Sequence, residues 1–189
     1  METKSYIRKQ ILNALTMKHE NDYKEQSCRI SEKLFLLKEW NQSKIVAITV
    51  SNFPEVETRT IIESAWEQGK IIVVPKCIPK EKKMDFRKID SFDQLEQAYF
   101  SLWEPIVHTT ESIQHDKINL TIVPGVAFAR NGYRIGFGGG YYDRYLENWK
   151  GMTVSLAFEE QIVNSVPIDR FDLPVSTIIT PKEVIYCDI

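Results

Sequence analysis

Apolar residues in the first forty positions recur at helical intervals. Ile7, Ile11, Leu12 and Leu15 share one arc within residues 3–18, and Tyr23, Ile30, Leu34 and Leu37 do so within residues 22–40, which predicts two opening helices. The rhythm then changes to a continuous run, Ile45-Val46-Ala47-Ile48-Thr49-Val50, closed by a Ser-Asn-Phe-Pro turn. A helical stretch from about Thr58 to Gln68 follows, ended by Gly69. Strand and helix recur at Lys70–Pro75 and again where Leu120–Pro124 leads through a glycine loop into Tyr141–Trp149, and Thr153–Ala157 reads as a further strand. Short apolar strands alternating with helices predict the α/β class: a three-layer, Rossmann-like sandwich with a largely parallel central sheet and helices on both faces. The polar segment 76–118 breaks this rhythm, with Lys80–Lys83 expected as a solvated hairpin or loop and Trp103-Glu104-Pro105 as a turn. No repeat or linker divides the chain, so residues 1–189 are expected to form one domain.

Composition narrows the partners. A chain of 189 residues, 43% hydrophobic, can bury a sizeable core, and a net charge of -2 supplies no basic field for nucleic acid. Any phosphate site must therefore be built locally. Cys28, Cys77 and Cys187 are far apart, without CxxC spacing or neighbouring histidines, which argues against disulfides and zinc and for a reducing compartment. The N-terminus has no apolar core of a signal peptide, and no stretch approaches the ~20 apolar residues of a membrane span. A cytoplasmic chain with neither membrane nor nucleic-acid partners is expected.

Six of the eight glycines fall between Pro124 and Leu146, five of them in Gly132-Tyr133-Arg134-Ile135-Gly136-Phe137-Gly138-Gly139-Gly140-Tyr141-Tyr142-Asp143. Such density needs positive φ angles or close approach of backbone to a ligand. A phosphate suits a glycine turn that leads into a helix N-terminus; the alternative is a plain connection from strand to helix. Neither G-x-x-x-x-G-K-[ST] nor a correctly spaced G-x-G-x-x-G is present. Tyr142, Tyr145, Leu146 and Trp149 form a core stripe, whereas Asp143 leaves it for the first turn, where it either offsets the helix dipole or reaches a metal.

The first helix carries a second anomaly. Lys4 and Arg8 share the arc of Ile7, Ile11 and Leu15, so the two cations either snorkel past the helix start or meet phosphate or carboxylate groups across a cleft. His19, His108 and His115 lie in polar stretches and are expected at the surface, and no Ser-His-Asp or Cys-His constellation emerges.

Taken together, these segments resemble the 5-formyltetrahydrofolate cyclo-ligase family. The resemblance rests on Lys4-x-x-x-Arg8, Pro54-Glu55-Val56-Glu57-Thr58, Pro75, Met84-Asp85, the run from Pro124 to Leu146, Ala157-Phe158-Glu159-Glu160-Gln161, and Val166-Pro167 through Asp172. Departures are small: Ala129 stands where relatives often carry Asp, Phe137 where Tyr is frequent and Ile135 where Leu is usual. The resemblance implies ATP contacts by Lys4, Ser5, Tyr6, Ile7 and Arg8, and by Arg134, Ile135, Gly136, Phe137, Gly138, Gly139, Gly140, Tyr141 and Tyr142. It implies Mg2+ at Asp143 and Asp172, and a folate site formed by Val50, Glu55 and the shared stretch Phe137 to Tyr141. The catalytic cations would be Lys4, Arg8 and Arg134.

The implied reaction converts 5-formyltetrahydrofolate and ATP to 5,10-methenyltetrahydrofolate, ADP and phosphate, in a monomer, with polyglutamylation of the substrate left open. The formyl oxygen attacks the γ-phosphorus and N10 then closes the ring. Such chemistry asks for alignment and charge neutralisation, not a side-chain nucleophile. Two other readings compete: a relative of sugar-phosphate isomerases or CoA-transferases on a similar α/β frame, and a non-catalytic folate- or nucleotide-binding module.

Overall fold

The structure, a computed structural model, describes residues 3–187, with Phe100 described by its backbone only. Helix α1 (Lys4–Thr16) starts at Thr3, whose hydroxyl accepts the Tyr6 N–H at 3.2 Å, and it buries Ile7 and Leu15 as their spacing requires. Helix α2 (Glu20–Leu36) stops where Leu37 turns extended, and the short α3 (Lys38–Gln42) restarts beyond it. The single helix expected to reach residue 40 is therefore two. The break sets Trp40 into the core, where its indole N–H donates to Gln68 at 2.9 Å.

Strand β1 (Ile45–Ala47), helix α4 (Arg59–Glu67) and strand β2 (Ile71–Ile78) form the first parallel unit, and β3 (Lys83–Ile89) folds back on β2 through the expected hairpin. Short strands follow: β4 (Leu95–Gln97), β5 (Trp103–Pro105), β6 (Glu111–Ser112), β7 (Leu120–Ile122), β8 (Ala127–Ala129) and β9 (Arg134–Ile135). Helix α5 (Tyr141–Leu146), then β10 (Met152–Leu156), β11 (Ile162–Val163), β12 (Thr177–Ile179) and β13 (Val184–Tyr186), complete the chain.

The main sheet runs β13-β12-β10-β7-β1-β2-β3-β6. Its five middle strands are parallel, and β13, β3 and β6 join antiparallel at the flanks, so the α/β sheet is mixed. Alternate residues of β1 serve opposite faces: Val46 packs with Ile30, Leu34, Trp40, Ile61 and Ile62, whereas Ala47 packs with Val73 and Phe86 against Tyr142, Tyr145 and Trp149.

Two local expectations are corrected. Trp103-Glu104-Pro105 is a strand, paired with β4 and bridged through Trp103 to Val50; too short for alternation to register, it is held by non-local pairing. His115 packs edge-on to Tyr145 and Trp149, and its Nε2 donates to the Tyr145 carbonyl at 3.2 Å, so these aromatic neighbours, distant in sequence, leave it half-buried where a fully solvated side chain was expected.

Candidate active site

Beyond the C-terminal ends of β1 and β7 lies a cleft of about 320 Å3, lined by Thr49, Val50, Glu55, Pro75, Cys77, Met84, Leu102, Trp103, Glu104, Pro124, Arg134 and the glycine turn with Tyr141, Tyr142 and Asp143. This is where open α/β sheets place ligands. A more open hollow of about 480 Å3 lies at the opposite strand ends, around Lys44, Glu111, Lys117 and Asn119, and holds none of the expected site residues.

Glu55 is set by the turn after β1, which contains the cis Phe53–Pro54 bond. Its N–H donates to the Asn52 carbonyl at 2.9 Å, and its carboxylate accepts the Asn52 N–H at 3.1 Å. Burial pushes its pKa above the ordinary value, partly offset by that backbone bond. Across the cleft, Glu104 accepts the Cys77 N–H at 3.2 Å and faces Lys76 Nζ at 3.1 Å, while burial and Glu104 push the Cys77 thiol up to about 12. The Tyr142 hydroxyl is buried and has no hydrogen-bond partner among the described residues, and burial raises its pKa strongly.

The glycine turn is legible in backbone terms. Gly138 has φ +110° and Gly140, the residue before α5, has φ +65°, conformations that side-chain-bearing residues rarely adopt. A Cβ on Gly139 would lie 2.6 Å from the Tyr141 ring. Arg8 Nε donates to the Gly136 carbonyl at 2.8 Å, and Arg144 donates to that of Gly139 at 2.9 Å. The cationic face of α1 thus reaches the turn directly.

Arg134 arrives on the β8–β9 hairpin, whose bend needs Gly132: its φ is +87° and a Cβ there would meet the Val175 carbonyl at 2.3 Å. Its guanidinium donates to the Leu173 carbonyl at 2.7 Å and to Asp143 at 3.0 Å. Burial pulls the Arg134 pKa down against the opposing pull of Asp143 and Asp172. Asp143 also accepts the Leu173 N–H at 3.3 Å. Lys4 bonds Asp169 at 2.7 Å and also Asp172; burial lowers its pKa, but the two carboxylates outweigh that and raise it.

Among the expected site residues, Lys4, Arg8, Arg134, Asp143, Asp172, Val50, Glu55 and the glycine turn converge on this end of the sheet. Ser5 and Tyr6 are exposed, Ile7 packs against Ala127, Ala129 and Ile135, and none of these residues lines the cleft. Leu102, Trp103, Glu104, Cys77 and Asp169 were not foreseen. The tryptophan beside an acid in a polar segment was the one available signal.

No group of three or more metal-ligating side chains occurs among the described residues. Mg2+ characteristically uses one or two carboxylates together with water and phosphate oxygens, so Asp143 and Asp172 beside three cations fit a metal–triphosphate and not a metal held by protein alone. No described helix is long and apolar enough to cross a membrane.

The model of the 5-formyltetrahydrofolate cyclo-ligase family matches residues 1–181. The chain is 31% identical over 159 residues to the 5-formyltetrahydrofolate cyclo-ligase of Haemophilus influenzae, covering 82% of this chain and 84% of that protein. It is 30% identical over 167 residues to that of Mus musculus, covering 82% and 81%. The solved structure of Aquifex aeolicus 5,10-methenyltetrahydrofolate synthetase superposes with a TM-score of 0.86 at 30% identity, over 98% of this chain and 93% of that one. The Mycoplasma pneumoniae synthetase shares the fold at a TM-score of 0.78 and 23% identity, over 95% and 99%. The chain belongs to the 5-formyltetrahydrofolate cyclo-ligase family.

Proposed function

We propose that this chain performs the ATP-dependent cyclisation of 5-formyltetrahydrofolate to 5,10-methenyltetrahydrofolate. The observation that carries the reading is the position of the glycine turn: Arg8 binds it through the Gly136 carbonyl, and Gly136, Phe137, Gly139 and Gly140 line the cleft with Glu55 and Trp103. A turn so placed can bring a triphosphate to a folate bound in the cleft. The pterin lies between the Val50–Trp103 wall and the turn, with Glu55 accepting its N–H donors. Lys4, Arg8 and Arg134 hold the phosphates, and Asp143 and Asp172 hold Mg2+, which neutralises charge on the triphosphate when bound.

The formyl oxygen then takes the γ-phosphoryl group, N10 bonds to the formyl carbon and loses its proton, and phosphate departs with the oxygen. The protein's part is alignment in a cleft that excludes water, with cations where charge shifts toward the β-phosphate and no covalent enzyme intermediate. We read the packing around the mixed sheet as one three-layer, Rossmann-like domain, and the working protein as a cytoplasmic monomer.

The test is incubation of the purified chain with ATP, Mg2+ and 5-formyltetrahydrofolate. The methenyl chromophore should appear in one-to-one proportion with ADP. Binding of both ligands without turnover would instead indicate a binding module, and no folate binding would end the proposal.

A further inference from the structure

The cations around the cleft differ in what they already hold. Lys4 faces Asp169 and Asp172, Arg134 faces Asp143, and Lys76 faces Glu96 and Glu104. Arg8 and Arg144 donate to carbonyls of the glycine turn. Arg59, the first residue of α4, is different: its guanidinium has no hydrogen bond or ion pair among the described residues. Glu57, the nearest acid in sequence, spends its carboxylate on the Arg59 and Thr60 N–H groups and the Thr60 hydroxyl.

Aromatic rings hold the guanidinium instead. Its Cζ lies over the Phe92 ring, 4.6 Å from the centroid, and over the Trp103 ring at 5.3 Å. Phe92 packs in turn on Trp66, with centroids 5.1 Å apart, and Trp103 is bridged to Val50. Rings fixed in this way orient the guanidinium before any ligand arrives, while the edges of its fork keep their N–H donors for an anion. Arg59 itself is outside the cleft lining and meets it through Trp103. A substrate whose reacting end faces the glycine turn leaves the cleft over another edge, and the Leu102–Trp103 wall is the edge beside an unpaired cation. Resting on the folate reading above, we propose that Arg59 binds a carboxylate of the substrate's glutamyl tail where that tail passes Trp103, and so makes the chain prefer a substrate that carries the tail.

The experiment compares 5-formyltetrahydrofolate with 5-formyltetrahydropteroate, which lacks the glutamate, at saturating ATP and Mg2+, for the wild type, Arg59→Met and Arg59→Gln. The wild-type kcat/KM should be about five- to tenfold higher for the glutamylated substrate, between what an exposed ion pair and a hydrogen bond to a charged group supply. Added salt should shrink that ratio, a test that needs no variant. Both variants, checked for folding by thermal melting, should lose the factor on the glutamylated substrate and change little on the other. An equal loss on both substrates would reduce Arg59 to a brace for Trp103. Variants that still discriminate, or a wild-type ratio near one or indifferent to salt, would show that Arg59 does not hold the tail. Each of these results overturns the proposal and leaves the cyclisation standing, whereas a wild type that converts neither substrate would overturn both.

Discussion

Arg134 donates to Asp143 at 3.0 Å, and the guanidinium side chain is 3% exposed while the carboxylate is 26% exposed. The pair fixes α5 against the β8–β9 hairpin and carries the Leu173 backbone with it, through its carbonyl on Arg134 and its N–H on Asp143. An acid at a helix start is thereby a structural partner as well as a metal candidate.

Replacing Asp143 with Asn leaves a buried guanidinium without its counter-charge. The full cost of breaking a buried pair is about 3–5 kcal/mol, and the partial exposure of Asp143 brings the expected loss to about 2 kcal/mol. Thermal melting should show a drop of roughly 4–8 °C. An unshifted melting temperature would mean that the pair does not support the fold.

Arg8 holds the Gly136 carbonyl through Nε, which leaves its terminal nitrogens for phosphate. A lysine ammonium donates from a single point, so it cannot keep the Gly136 carbonyl and also present a parallel pair of N–H groups to a phosphate. Arg8→Lys should therefore raise the KM for ATP nearly as far as Arg8→Ala, by roughly tenfold or more, with little loss of thermal stability. Recovery of the wild-type KM by lysine would reduce Arg8 to a simple charge.

Gly139→Ala brings a methyl group against the Tyr141 ring, which must swing away from the turn. Because the turn is exposed, the fold should survive, whereas affinity for both ligands should fall about tenfold or more as the ring leaves its place. Equilibrium titration alongside a melting curve separates the two effects, and normal affinity would show that the ring is not needed where it lies.

Burial holds the Glu55 pKa above its ordinary value of 4.5. A raised folded-state pKa means that the folded chain keeps the proton longer than the unfolded one. The stability it contributes is present below about 4.5 and is lost as pH rises through the raised value. Glu55→Gln removes this dependence, so the variant should gain melting temperature on the wild type as pH increases from 4 to 8. Parallel pH profiles would show that Glu55 is not desolvated.

The sequence by itself determined the features that nearest neighbours in the chain dictate. The arc of Ile7 and Leu15, the β-branched run at Ile45, the apolar strand at Leu120 and the glycine turn all follow from periodicity or backbone freedom within a few residues. The odd placement of Lys4 and Arg8 was legible too, as cations on a buried face, but whether they reach water or a partner was not. Tertiary structure decided that: Lys4 meets Asp169 and Asp172 across 165 and 168 residues, and Arg8 meets Gly136 across 128. It also made a cleft wall of Trp103, pairing it with Val50 in a strand too short to announce itself, and packed His115 against Tyr145 and Trp149. Local patterns set which segments are helix or strand. Which charge answers which depends on where chain closure brings distant segments, and no residue's own neighbours in sequence encode that.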